Sequence, residues 1–196
     1  IKLDSYQMSS LPLSLRNQAL AGIRDGLIDQ QEKIFAANQE DLDSAIRNQE
    51  PQPIINRLVF DHHKLDDVIQ GLESLIGLPD PLFRIQLHRE LDQGLVLRRE
   101  TCPIGVIGVI FESRPDALVQ ISSLCIKSGN CSILKGGREA AKTNRALFDI
   151  IYEAGIKAGL PAGFMTLVES REAIDELLHC DESIDLLIPR GSNQFV

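Results

Sequence analysis

The pattern of apolar positions divides the chain into two unlike parts. Over residues 13–47, Leu13, Ala19, Leu20, Ile23, Leu27, Ile34 and Phe35 recur at three- and four-residue steps, the spacing of helices with one buried face. The segment "NQEDLDSAIRN" continues that style, and Asn38 or Asp41 is placed to cap a fresh helix there. "EPQP" at residues 50–53 reads as a break, because each proline biases its predecessor away from helix. A further helix is predicted over residues 64–75, with Leu65, Val68, Ile69, Leu72 and Leu75 on one side, and "GLPDP" ends it. "RIQLHRELDQGLVLRRETCP" then alternates apolar and polar residues about Asp92, Gln93 and Gly94, which predicts a β-hairpin carrying Ile85, Leu87, Leu91, Leu95 and Leu97. A polar, two-sided ribbon of this kind is either ordinary surface or the cover of another surface, such as a second subunit.

From residue 104 the chain alternates short β-branched runs with helical stretches. "IGVIGVIF", "CSILKGG", "FMTLVES" and "SIDLLIPRGS" read as strands. "DALVQISSLCIKSG", "REAAKTNRALFDIIYEAGIKAG" and "REAIDELLHC" read as the helices between them. Nearly continuous apolar strands separated by helices predict βαβ units and a parallel sheet buried on both faces, so the fold class is α/β.

Composition narrows the function. With 196 residues, 43% hydrophobic and 24% charged, the chain suffices for one well-buried domain, or one domain with an appendage. A net charge of −8 opposes a broad nucleic-acid surface, yet leaves room for a local basic pocket that takes a phosphorylated small molecule. No apolar run approaches the roughly 20 residues of a membrane helix, and no signal-peptide pattern opens the chain. The expectation is a cytoplasmic protein without membrane or nucleic-acid partners. Cys102, Cys125, Cys131 and Cys180 form no C-x-x-C pair; they read as reduced thiols, and no metal site is expected.

In an open parallel sheet, ligands bind beyond the carboxyl ends of the strands. Three of these ends carry distinctive chemistry: "FESRPD", "LKGGREA" and "IPRGSNQ". In the second, Lys135 ends the strand, Gly136 and Gly137 permit a tight turn, and Glu139 falls in the first turn of the next helix. Lys135 and Glu139 are spaced to reach ribose hydroxyls or a nucleotide phosphate; alone, they equally describe a glycine turn with a solvated ion pair. In the third, Arg190, Gly191 and Ser192 precede a helix start, which suits a phosphate as well as a simple cap. In the first, Pro115 fits the first position of a helix, so Ser113 and Arg114 sit at its N-terminus. A G-x-G-x-x-G fingerprint is absent: Gly105 and Gly108 lie within a strand.

Together, "PIGVIGVIFESRPDALVQISSLCIKSGNCSILKGGREA", "RELDQGL" and "IDLLIPRGSNQFV" closely resemble the γ-glutamyl phosphate reductase family, glutamate-5-semialdehyde dehydrogenases within the aldehyde dehydrogenase superfamily. The resemblance runs from about Met8 to the last residue. It implies NADPH-dependent reduction of L-glutamate 5-phosphate to glutamate 5-semialdehyde in proline biosynthesis, by attack of an enzyme cysteine on the acyl phosphate and hydride resolution of the thioester. It also implies a helical part of the cofactor domain over residues 1–84, an oligomerisation hairpin over 85–102 and a Rossmann-like NADP-binding part over 103–196. By the same resemblance, Lys135 contacts the adenine ribose with Gly136 and Glu139 beside it, while Gly191 and Ser192 receive the pyrophosphate. Ser113 occupies the oxyanion turn, and Arg114 is a contact for the substrate phosphate or carboxylate.

The family's nucleophilic cysteine lies in a Pro-Ala-x-Cys-Asn-type segment beyond the "PRGS" strand, and none of the four cysteines present has that context. The expectation is therefore the first half of a reductase, inactive by itself. Alternatives are a non-catalytic nucleotide-binding or dimerisation module, or the reductase part of a bifunctional pyrroline-5-carboxylate synthase.

Overall fold

A computed structural model describes residues 1–169, 180 and 182–191. Helices α1 (Lys2–Ser10), α2 (Leu13–Asp29), α3 (Gln31–Arg47), α4 (Gln52–Leu58) and α5 (His62–Gly77) come first. The hairpin β1 (Ile85–Asp92) and β2 (Leu95–Glu100) follows. Then come β3 (Val106–Phe111), α6 (Pro115–Lys127), β4 (Cys131–Lys135), a 3-10 turn at Arg138–Ala140, α7 (Ala141–Ala158), β5 (Met165–Leu167) and β6 (Leu186–Arg190). Strands β3–β6 form one parallel sheet in the order β5-β4-β3-β6. Every residue of β3 and β4 is buried, as continuous apolar runs require of central parallel strands. Edge strand β6 is largely exposed, which is where Pro189 is tolerated.

The α/β expectation holds, with three differences in detail. The "EPQP" segment starts a helix instead of only breaking one: Pro51 is the N-cap of α4 and Pro53 falls in its first turn, where a missing N–H costs nothing. Residues 1–10, for which no helix was predicted, form α1, which packs on β4 and buries Met8. Asn38 and Asp41 do not start a new helix; both lie buried within α3.

Those two residues do their work at a distance. The Phe60 N–H donates to Asn38 Oδ1 at 2.9 Å, and Asn38 Nδ2 donates to the Leu58 carbonyl at 2.8 Å. The Asp41 carboxylate accepts from Lys142 N–H (3.2 Å), Thr143 N–H (2.8 Å) and Thr143 Oγ1 (2.7 Å). The first turn of α7 has no side-chain cap of its own, so α3 supplies one and thereby fixes the start of α7 beyond β4.

A second buried cluster joins α2 and α6 to the end of α5. Arg16, 1% exposed, donates to the Lys127 carbonyl and to Asp80 Oδ2 (2.7 Å). Lys127 Nζ in turn donates to the Ile76 and Leu78 carbonyls at the end of α5. The main core, with Leu20, Ile23, Val106, Val109, Leu118, Leu134, Leu147 and Ile150, fills the space between these helices and the sheet.

The hairpin forms as predicted, with Arg89 opposite Leu97 and Gly94 at φ +78° in the turn. Both of its faces are exposed along their whole length. The helix predicted for "REAIDELLHC" lies, except for Cys180, outside the described residues.

Candidate functional site at the sheet edge

The order β5-β4-β3-β6 places the site. The chain runs outward from β3 through β4 to β5, then returns to pair β6 on the opposite side of β3. Between β3 and β6 the winding reverses, and such a switch point leaves a crevice at the carboxyl ends of the strands. Ile110 lies opposite Lys135, and Phe111 opposite Arg190. Hence the turn at Ser113, the glycine turn after Lys135, and Gly191 all emerge from the same edge. Ser192 lies outside the described residues.

Ser113 is buried, at 5% exposure, and takes a left-handed φ of +35°, unusual for a non-glycine residue. Both of its donors turn toward the neighbouring loop. Its N–H and its Oγ donate to Glu139 Oε1, at 2.8 and 2.6 Å. Glu139 therefore faces the β3–α6 turn. Arg114 is exposed at the N-cap of α6, with Pro115 behind it as the first helical residue.

Lys135, also 5% exposed, donates from Nζ to the Gly136 carbonyl at 2.7 Å. Burial pushes its pKa below the ordinary lysine value, the neighbouring Arg138 charge pushes the same way, and Glu139 opposes them. An ammonium that is desolvated beside another cation gains from hydroxyl-rich or anionic company. A small cleft lies alongside, lined among others by Lys135, Gly136, Gly137, Asn144, Val168 and Glu169.

Two further features fit a ligand here. The buried Asn144 Oδ1 has no hydrogen-bond partner among the described residues, and Asn144 lines this cleft. At Gly136, an added Cβ would lie 2.2 Å from Asn144 Nδ2, so only glycine lets that amide sit against the loop. Sequence reasoning did not single out Asn144; its position eight residues beyond the Gly136 turn, on the first turns of α7, was the available signal.

The cysteines offer no nucleophile at this edge. Cys125 and Cys131 are buried, and burial pushes both thiols up to about 12. Cys102 and Cys180 are exposed and lie outside the three loops. No helix among the described residues is long and apolar enough to cross a membrane.

No family model matches the chain. Individual proteins do, along its whole length. The chain is 54% identical over 196 residues to a γ-glutamyl phosphate reductase of Pelotomaculum thermopropionicum, covering 100% of this chain and 45% of the relative. It is 50% identical over 192 residues to that of Ruminiclostridium cellulolyticum, covering 98% and 44%. The chain thus spans somewhat less than half the length of these curated relatives. Among solved structures, the γ-glutamyl phosphate reductase of Thermotoga maritima superposes with a TM-score of 0.94 at 29% identity, over 99% of this chain and 47% of that one. The Saccharomyces cerevisiae structure gives 0.93 at 36%, over 98% and 50%. A propionaldehyde dehydrogenase of Rhodopseudomonas palustris, at 20% identity and a TM-score of 0.71 over all of this chain and 42% of that one, shares the fold. The architecture is aldehyde-dehydrogenase-like.

Proposed function

We propose that this chain is the nucleotide-binding part of a γ-glutamyl phosphate reductase, and that the complete protein reduces L-glutamate 5-phosphate to glutamate 5-semialdehyde with NADPH in proline biosynthesis. The observation that carries the reading is the sheet edge, where a desolvated lysine, a glycine turn, an orphaned amide oxygen and a left-handed serine turn meet at a topological switch point. A hydroxyl-bearing, phosphorylated cofactor matches these groups. Lys135 would hold the adenine ribose, with Gly136 and Asn144 lining its bed. Gly191 and Ser192 would receive the pyrophosphate. When bound, the nicotinamide supplies the hydride.

The chain's own residues then position the substrate. Arg114, exposed at the start of α6, offers a guanidinium to the phosphate or carboxylate of glutamate 5-phosphate. Ser113 shapes the turn beside it. The nucleophilic cysteine belongs to the catalytic half, so this chain alone binds cofactor without turning over substrate. The organisation we propose is a helical portion over residues 1–84, a hairpin over 85–102 that covers a second subunit, and the NADP-binding portion over 103–196. The exposed Ile85, Leu91 and Leu95 give the hairpin an apolar surface for that contact.

The test uses the complete reductase. Lys135→Ala should raise KM for NADPH at least about tenfold while the KM for glutamate 5-phosphate stays within roughly twofold. Arg114→Ala should do the reverse. Equal effects of both changes on both substrates would overturn the assignment.

A further inference from the structure

The Glu139 side chain bridges two of the three loops. Its Oε1 accepts both donors of Ser113, across the gap between the β3–α6 turn and the turn after β4. The bridge depends on Gly137. A Cβ built there would lie 2.1 Å from Glu139 Oε1 and 2.6 Å from Oε2, in the space that the carboxylate crosses to reach Ser113. Gly137 itself has φ −64° and ψ 151°, a conformation open to any residue. Its glycine is thus explained by the path of the Glu139 side chain, with no backbone requirement.

Ser113 has reason to need the bridge. Its left-handed φ is costly for a residue with a Cβ, and such conformations persist where their surroundings hold them. A carboxylate that accepts both the N–H and the hydroxyl supplies that hold. It also directs both Ser113 protons toward Glu139, so the turn presents its shape, and not a free Ser113 donor, to the crevice.

We infer that Glu139 is a positioning residue: with Gly137 making room, its carboxylate clamps the Ser113 turn and links it rigidly to the loop that carries Lys135. The clamp is a property of this chain; its effect on turnover rests on the reductase reading above. Glu139 then acts through Ser113 and Arg114, and cofactor affinity does not depend on it.

Amide hydrogen exchange at Ser113, measured on this chain, reads the clamp directly. Glu139→Ala should speed exchange at Ser113 at least about tenfold, the loss of a bond to a charged acceptor. Gly137→Ala should do the same while leaving the carboxylate in the protein. Glu139→Gln, which keeps an acceptor oxygen, should stay within roughly threefold of the wild type. Exchange at the core amides of Ile133 and Leu134 should not change in any variant, which separates a loosened turn from a destabilised fold. Unchanged exchange at Ser113 in Glu139→Ala and Gly137→Ala would overturn the clamp. In the complete reductase, Glu139→Ala and Gly137→Ala should lower kcat with the KM for NADPH within roughly twofold, and Glu139→Gln should restore most of it. A large rise in the KM for NADPH with kcat intact would make Glu139 a ribose ligand and refute positioning. A complete protein that does not reduce glutamate 5-phosphate at all would instead refute the reductase reading and leave the exchange result standing.

Discussion

Replacement of Asp41 by alanine tests how the helical part of the chain sets the site. Asp41 is 4% exposed, and its carboxylate accepts three hydrogen bonds from the start of α7. The change strands two backbone N–H groups and the Thr143 hydroxyl, and removes a negative charge from the positive end of a helix of 18 residues. A hydrogen bond to a charged acceptor contributes about 1.5–3 kcal/mol. The three share one carboxylate and do not add, and the longest, to Lys142, is weak. The net loss should be about 3 kcal/mol, comparable to deletion of a strong helix cap together with a buried pair. For a chain of this size that corresponds to a fall in Tm of about 6–12 °C. Urea denaturation followed by circular dichroism should show a lower midpoint with an unchanged slope. Asp41→Asn keeps an acceptor for Thr143 but turns an N–H toward Lys142, and should recover roughly half of the loss. Asp41→Ala within about 0.5 kcal/mol of wild type would refute the claim that α3 caps α7.

The remaining predictions concern the same edge and its opposite. Lys135→Met should leave Tm unchanged or raise it, since a buried ammonium whose pKa is depressed is removed, while NADPH affinity falls at least about tenfold; the two can be read from one thermal-shift titration. Gly105→Ala should cost about 2–4 kcal/mol by denaturation, because Gly105 has φ +124° and its Cβ would sit 2.2 Å from Asp185 Oδ2. Lys2 Nζ at 2.6 Å, and then the Val106 N–H at 2.8 Å, hold the Asp185 carboxyl below its ordinary range. Its contribution is therefore complete above the unfolded value near pH 4 and is lost as pH falls through the lower folded value. Stability profiles of wild type and Asp185→Asn should differ by about 0.5–1 kcal/mol at neutral pH and converge in acid.

The sheet was legible because its signals are local. Residues 106–111 and 131–135 are long enough apolar runs, bounded by turns, to specify buried strands, and Pro115 marked the start of α6. The three strand-end segments announced the edge for the same reason. Elements whose cause is tertiary were not legible. Helix α1 has little apolar contrast and buries only Ser5 and Met8. The single-residue break at Gln30 between α2 and α3 carries neither glycine nor proline. Asp41 looked like the cap of its own helix, and the residues it caps lie about a hundred positions away. Likewise, Glu139 read as a ribose neighbour by spacing, whereas its bonds to Ser113 depend on how β3 and β4 lie side by side. Asn144 had only its place on the first turns of α7 to mark it, because an orphaned oxygen is visible only once the cleft has formed.

The central claim is that a nicotinamide dinucleotide lies on the carboxyl edge of this sheet. Titration of NADPH into the isotopically labelled chain, followed by NMR, addresses it most directly. The account predicts saturable shifts at residues 112–114, 135–144, 167–169 and 191, weakened in Lys135→Ala. Shifts confined to the amino edge, around Asn130 and Phe164, or no saturable shifts at all, would contradict it.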